Sequence, residues 1–361
     1  MLIEEPVSPL LSVAAKPQKL WIPKRVLFTP EAMEESFGQQ IFDRVSHLGL
    51  PVEVLKNNRL TNLRGEDEKE TYRLSKTTMA VVTAPPSAMK LQPIPPSADW
   101  QFHLAQGCPA HCHYCYLAGS LAGPPVVRVF ANLPSILENT KNYIDPLKPT
   151  SFEASCYTDP LGIEHLTGSL AECIRFFGKQ ENGRLRFTTK FANADSLLQV
   201  PHNGNTRWRF SLNAETVAKR LEGGTASLSQ RIEAMRKAAL PRADGGGGYP
   251  IGAVIAPIMP IENWEAEYTG LLDKLEANVG FAKDLSFELI SHRFTPGSKE
   301  VLSGWYPNTS LDMNEATRAV KRNKFGGFKY VYTKDVMAEL RHFFESEISR
   351  RFPNAKILYW T

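Results

Sequence analysis

From residue 97 onward, short apolar runs alternate with longer stretches of helical period. The runs at 100–106, 150–156, 185–190, 207–213, 251–258 and 285–292 are short and rich in β-branched and aromatic residues, so they predict strands. Between them, 162–178, 228–240 and 264–279 repeat their apolar positions every three to four residues and predict helices. Strands alternating with helices build βαβ units and a parallel sheet. Six such strands predict an α/β chain with a partial (β/α)6 TIM-like barrel. An open doubly wound sheet is the alternative.

The flanks differ from this pattern. Residues 1–20 contain prolines and read as a flexible tail. Residues 21–96 form a small N-terminal α/β region, with helical spacing over 31–50. Pro93, Pro95 and Pro96 mark its end, because closely spaced prolines disfavour helix and central strand alike. The barrel is expected over 97–295. Residues 296–361 form a C-terminal extension, with a hairpin turning at 325–328, a charged helix over 334–351 and a short strand in KILYW. The glycine run Gly245–Gly248 lacks the Lys-Ser/Thr of a phosphate loop and precedes a strand, so it reads as a flexible surface loop.

Composition narrows the class. The 361 residues are 42% hydrophobic and 22% charged, which excludes a wholly disordered chain or a collagen-like fibre. No run of about 18 apolar residues appears, so no membrane span is expected. The acidic, proline-broken start is a poor secretory signal, and a cytoplasmic monomer is expected. A net charge of +4 permits a polyanionic partner without demanding one.

The cysteines say more. They number five, an odd count, and Cys108, Cys112 and Cys115 fall within eight residues. That distribution argues against a disulfide framework and for a metal site or reactive thiol. Cys108-Pro-Ala-His-Cys112-His-Tyr-Cys115 is C-x3-C-x2-C. His111 and His113 could complete a zinc site, but no second C-x2-C exists. Three thiolates better suit a [4Fe–4S] cluster that leaves one iron without cysteine.

This loop resembles the signature of the radical S-adenosylmethionine superfamily. The surrounding GCPAHCHYCYL, RVFANL, FEASCYTDPLGIEHLTGSL, GRLRFTTKF, RWRFSLN, VIAPI, LSFELISHRFT and KYVY, in that order, resemble the spore photoproduct lyase family. The resemblance spans residue 20 to the C-terminus. It implies a radical enzyme that reverses 5-thyminyl-5,6-dihydrothymine in UV-damaged DNA, with the lesion flipped out of the duplex. It implies a [4Fe–4S] cluster on Cys108, Cys112 and Cys115, S-adenosylmethionine on its open iron, and an external reductant such as a flavodoxin or ferredoxin.

The resemblance also assigns roles. Cys156, in FEASC, is the hydrogen-atom donor; its alternative is a small buried core cysteine. Tyr114 and Tyr116 relay hydrogen back to it or simply pack the loop. Thr158, Lys190, Ser211 and Asn213 lie near the cofactor. Lys190 would meet the cofactor carboxylate or else pair with Asp159 or Glu288. Cys173, by contrast, is read from its place on the apolar face of a helix, AECIRFF, and is expected to pack in the core. Lys324, Phe325, Lys329, His292 and Arg293 are candidates for DNA contact, with Arg318, Lys321 and Arg322 adding charge. Basic residues neutralise phosphates, and an aromatic wedge fills the gap left by a flipped base. This chain has Lys324-Phe325 where the family pattern carries Arg-Tyr, and Tyr157-Thr158 follow Cys156 in place of smaller polar residues. Those departures leave room for another photolesion or nucleic-acid base. A non-enzymatic DNA-binding protein with a metal cluster is the rival from another class.

Overall fold

The computed structural model describes residues 18–121, 123–322 and 327–361. Seven parallel strands form its main sheet. They are β1 (Ala98–Phe102), β2 (Thr150–Ala154), β3 (Gly183–Thr189), β4 (Thr206–Leu212), β5 (Ile251–Ile258), β6 (Ser286–Ser291) and β7 (Lys356–Trp360). They lie side by side in chain order, and Gln92–Ile94 adds an antiparallel edge beside β1. The two edge strands do not pair, so the sheet is an open, partial (β/α) barrel, as the alternating pattern predicts. The KILYW segment becomes β7 and pairs with β6, adding a seventh parallel strand.

Alternation along the strands sorts the two faces. In β4, Trp208 and Phe210 pack with Phe187 of β3 on the helix side. Phe152 and Phe102 meet Phe177 of the helix Ser169–Gly178 on that same side. The opposite face carries charge. Arg209 pairs with Glu153 of β2 and, at 2.7 Å, with Glu288 of β6. Arg186 of β3 pairs with Glu288 as well. Ser97 Oγ donates to Glu153 at 2.9 Å, and Tyr359 of β7 donates to Glu288 at 2.7 Å. Two arginines thus neutralise two glutamates across the barrel interior, as burial of charge requires.

A second, five-stranded sheet covers one side. Its order is Val52–Val54, Arg25–Phe28, Thr78–Val82, Val127–Phe130, Ala105–Gln106. The apolar run at 100–106 therefore splits. Residues to Phe102 stay in the barrel, and Ala105–Gln106 turn into the small sheet, antiparallel to Val127–Phe130. The cysteine loop begins where the chain has just crossed between the two sheets.

Two sequence expectations change in detail. The helix expected over 162–178 breaks into Leu161–Thr167 and Ser169–Gly178, because Gly168 is left-handed (φ 67°). The Glu164 carboxylate caps the second helix by accepting from the Leu170 and Ala171 N–H groups. The glycine run is not a loose loop. The amides of Gly245, Gly246, Gly247 and Gly248 donate to the carbonyls of Arg242, Pro241, Lys237 and Leu240, closing the end of the helix Leu228–Ala239. A Cβ at Gly246 would lie 2.1 Å from the Leu240 carbonyl oxygen, so this turn requires glycine there. Among the described residues, no helix is long and apolar enough to cross a membrane.

The interior network yields a stability prediction. Arg209→Met leaves two buried carboxylates short of their shared cation and should destabilise the fold by about 3–5 kcal/mol. Thermal unfolding measures this. A melting temperature equal to wild type would mean the network contributes nothing.

Candidate active site

The candidate residues gather where barrel active sites form, beyond the C-terminal ends of the strands. Cys156 follows β2, Lys190 follows β3, Asn213 follows β4, and the cysteine loop follows β1.

Cys156 reaches the interior through a backbone irregularity. Strict alternation from Phe152 and Ala154 would put residue 156 on the helix side. Ser155 adopts φ 58°, a left-handed conformation uncommon for serine, and breaks the alternation. The turn is held because Ser155 N–H donates to the Phe102 carbonyl and its hydroxyl accepts from Leu104 N–H, both at 2.8 Å. Cys156 then lies half-buried within electrostatic reach of Glu153 and Arg209. Burial, reinforced by Glu153, pushes its thiol well above the ordinary range, so it keeps its hydrogen at neutral pH.

The two tyrosines of the loop have different surroundings. Tyr116 is 61% exposed, and its phenol lies within electrostatic reach of Cys156 and Cys115. Tyr114 points into the protein and donates to the Glu222 carboxylate, with Lys190 Nζ 5.6 Å from its ring centre.

Lys190 donates to Ser211 Oγ at 2.5 Å and to the Ala256 carbonyl at 3.3 Å. Its ion-pair partner is Glu222, at 3.6 Å, rather than Asp159 or Glu288. Asp159 instead accepts from the Lys190 backbone N–H and the Thr189 hydroxyl, both at 2.7 Å, and bolts the end of β2 to the end of β3. Glu222 is buried and also pairs with Arg231 at 2.5 Å. Burial raises its carboxyl, but Lys190 and Arg231 outweigh that and hold it below the usual range. Glu222 drew no attention in the sequence because it lies in an ordinary charged stretch, KRLEGG. Here Glu222 and Gly223 pair as a short strand with Cys112 and His111.

Thr158 donates to the Gly107 carbonyl and ties the Cys156 loop to the start of the cysteine loop. Asn213 is fully buried; its amide donates to the Pro257 carbonyl and accepts from the Tyr268 hydroxyl, both at 2.9 Å.

Cys108, Cys112 and Cys115 are free thiols within electrostatic reach of one another. Burial pushes the Cys108 thiol up to about 12, opposed by Lys76. Among the described residues, no three His, Cys, Asp or Glu side chains converge on one point as a single metal ion requires. Cysteines of a [4Fe–4S] cluster bind different irons and need not converge, so the donor set fits the cluster. His111 accepts or donates at the Tyr72 hydroxyl (2.9 Å), and His113 stacks on Tyr306 with centroids 4.2 Å apart. Both histidines are therefore engaged away from the thiols.

The candidates for DNA contact divide. Lys324 and Phe325 lie outside the described residues. His292 is 3% exposed and packs against Arg318, and burial together with Arg318 holds its pKa down to about 3. It is an interior residue here, because a neutral imidazole is easier to bury than to charge. Its neighbour Arg293 is exposed. Lys329 faces Lys321 directly across the hairpin formed by Ala319–Arg322 and Phe328–Val331. Partial burial, then Arg293 and Lys321, disfavour the Lys329 charge. Like charges opposed across strands cost stability, so this cluster is suited to an anion. Arg318 is buried, with its guanidinium 3.8 Å from the Tyr332 ring centre.

Comparison with known proteins agrees with this geometry. The family model described as spore photoproduct lyase matches residues 21–361. The spore photoproduct lyase of Bacillus subtilis (strain 168) is 40% identical over 95% of this chain and all of its own length. That of Clostridium acetobutylicum is 36% identical over 93% of this chain and 98% of its own. A mutant spore photoproduct lyase solved with bound AdoMet and dinucleoside spore photoproduct superimposes with a TM-score of 0.89, at 38% identity, covering 95% of this chain and all of that one. Another, complexed with the dinucleoside spore photoproduct, gives a TM-score of 0.88 at the same identity and coverage. The chain belongs to the spore photoproduct lyase family.

Proposed function

We propose that this protein reverses 5-thyminyl-5,6-dihydrothymine to two thymines in UV-damaged DNA, with Cys156 as hydrogen donor. The observation that carries the proposal is the turn at Ser155, which takes Cys156 off the helix side of the sheet and sets its thiol within electrostatic reach of the Tyr116 phenol. The related enzymes solved with AdoMet and the dinucleoside lesion support it.

Cys108, Cys112 and Cys115 would hold the cluster. Lys190 would meet the carboxylate of S-adenosylmethionine, with Thr158, Ser211 and Asn213 shaping the same pocket. When bound, these groups supply a 5′-deoxyadenosyl radical able to remove hydrogen from C6 of the lesion. Loss of that hydrogen lets the bond between the thymines break and leaves one thymine as a carbon radical. The Cys156 S–H gives that radical a hydrogen atom and becomes a thiyl. A thiolate could not do this, so burial of the thiol serves the step. Tyr116, within electrostatic reach of Cys156, would return a hydrogen atom to the thiyl and regain one from 5′-deoxyadenosine, whereas Tyr114, bound to Glu222, would hold the loop beside Lys190.

The hairpin cations Lys321 and Lys329, with Arg293, would take backbone phosphates while the lesion leaves the stack. Electrons would come from an external one-electron donor such as a flavodoxin or ferredoxin. The site of action would be the cytoplasm.

The direct test is an anaerobic assay of reconstituted protein with S-adenosylmethionine, a reductant and DNA carrying the lesion, read by mass spectrometry. Thymine recovery is expected. Cofactor cleavage without repair would redirect the reading to another lesion.

Two variants probe the parts. Cys156→Ala should still cleave cofactor but misquench the thymine radical and give side products. Clean thymine at wild-type rate would remove Cys156 from the mechanism. Lys321→Ala with Lys329→Ala should lower the slope of log affinity against log salt by roughly 0.9 per lost phosphate contact. An unchanged salt titration would refute the hairpin contact.

A further inference from the structure

Five lysines and arginines are buried among the described residues: Lys76, Arg209, Arg231, Arg318 and Arg351. Four of them pair with a carboxylate: Arg209 with Glu153 and Glu288, Arg231 with Glu222, Arg318 with Asp312, and Arg351 with Asp273. Lys76 differs. It is 6% exposed, ends the helix Glu68–Lys76, and donates to the carbonyls of Cys108 and Ala110. Its Nζ also lies 5.8 Å from the Tyr72 ring centre. No ion pair among the described residues includes it.

A buried ammonium held by neutral carbonyls alone is unfavourable unless an anion stands nearby. The groups within electrostatic reach are the Cys108 thiol and the His111 ring. As thiolates, Cys108, Cys112 and Cys115 place three negative charges on the loop that Lys76 clamps. A cluster held there leaves the site net negative, and one-electron reduction adds a further unit of negative charge. A fixed cation in a low-dielectric setting favours that added charge.

We propose that Lys76 is a positioning residue that serves as the counter-ion of the cluster site, shaping the cysteine loop through two carbonyls and easing its one-electron reduction. This inference rests on the proposed cluster-bearing function. It explains why a residue of the small N-terminal region is buried against a loop of the barrel. Lys76 would act through the loop, whose carbonyls it holds, and through its charge. The electron comes from the external donor, and no proton or bond change at Lys76 accompanies it.

The test compares Lys76→Arg and Lys76→Gln with wild type after anaerobic reconstitution. Iron and sulfide per chain are measured, and the midpoint potential is read by redox titration followed by EPR. Lys76→Arg keeps the charge and should titrate near wild type with full iron content. Lys76→Gln keeps an amide donor for a carbonyl and loses the charge. Its midpoint should move to more negative potential, and cofactor cleavage should slow with weak reductants and recover with stronger ones. A Lys76→Gln midpoint equal to wild type would overturn the proposal. Equal shifts in both variants would also overturn it, because packing rather than charge would then be responsible. Wild-type protein that takes up no iron would instead overturn the cluster reading itself.

Discussion

Charge neutrality inside the half-barrel is the constraint on which the site depends. An open parallel sheet exposes its concave face to whatever it binds, and this one lines that face with Glu153, Arg186, Arg209 and Glu288 rather than with aliphatic side chains. The four charges cancel only if β2, β3, β4 and β6 keep their register. The same register sets Cys156, Lys190 and Ser211 at the rim. A wedge of apolar residues would hold the strands as well, but it would remove the Glu153 charge that adds to burial in keeping the Cys156 thiol protonated.

Above that floor, the cysteine loop is gripped from three sides. The N-terminal helix Glu68–Lys76 contributes Lys76 and Tyr72. The segment after the helix Pro296–Trp305 contributes Tyr306, whose hydroxyl meets that of Tyr72. From the barrel, Glu222 and Gly223 pair with Cys112 and His111. A loop that must hold three thiols in fixed relation loses conformational freedom, and these contacts from distant segments offset that loss. The flanking regions are thus part of the active site and not ornaments on a barrel.

Glu222 joins the halves of the site. It takes one hydrogen bond from Tyr114 of the cysteine loop and one charge each from Lys190 and Arg231. With its carboxylate held ionised, Lys190 is oriented by Glu222 in the ligand-free protein, so its ammonium is already in place for the cofactor contact proposed above.

Much of this was legible in the chain. The alternation of short strand-like runs with longer helical ones marks the six barrel strands, because every second residue of each strand is apolar and packs against the helices, as in GRLRFTT and TRWRFSL. The C-x3-C-x2-C spacing singles out the thiols, because three soft ligands on one loop suit few metal groups. What the sequence could not determine was set by contacts between residues far apart. Residues 100–106 divide between two sheets because Ala105–Gln106 pair with Val127–Phe130, over twenty residues on. Lys190 finds Glu222 rather than Asp159 because Asp159 is occupied by the Lys190 and Gly162 N–H groups and the Thr189 hydroxyl. His292, a candidate for DNA contact, turns inward against Arg318. Local pattern determines which segments become strands and which carry reactive groups. Which charges meet, and which thiol faces the interior, are decided by tertiary packing, because pairing energies depend on burial that no single stretch of sequence contains.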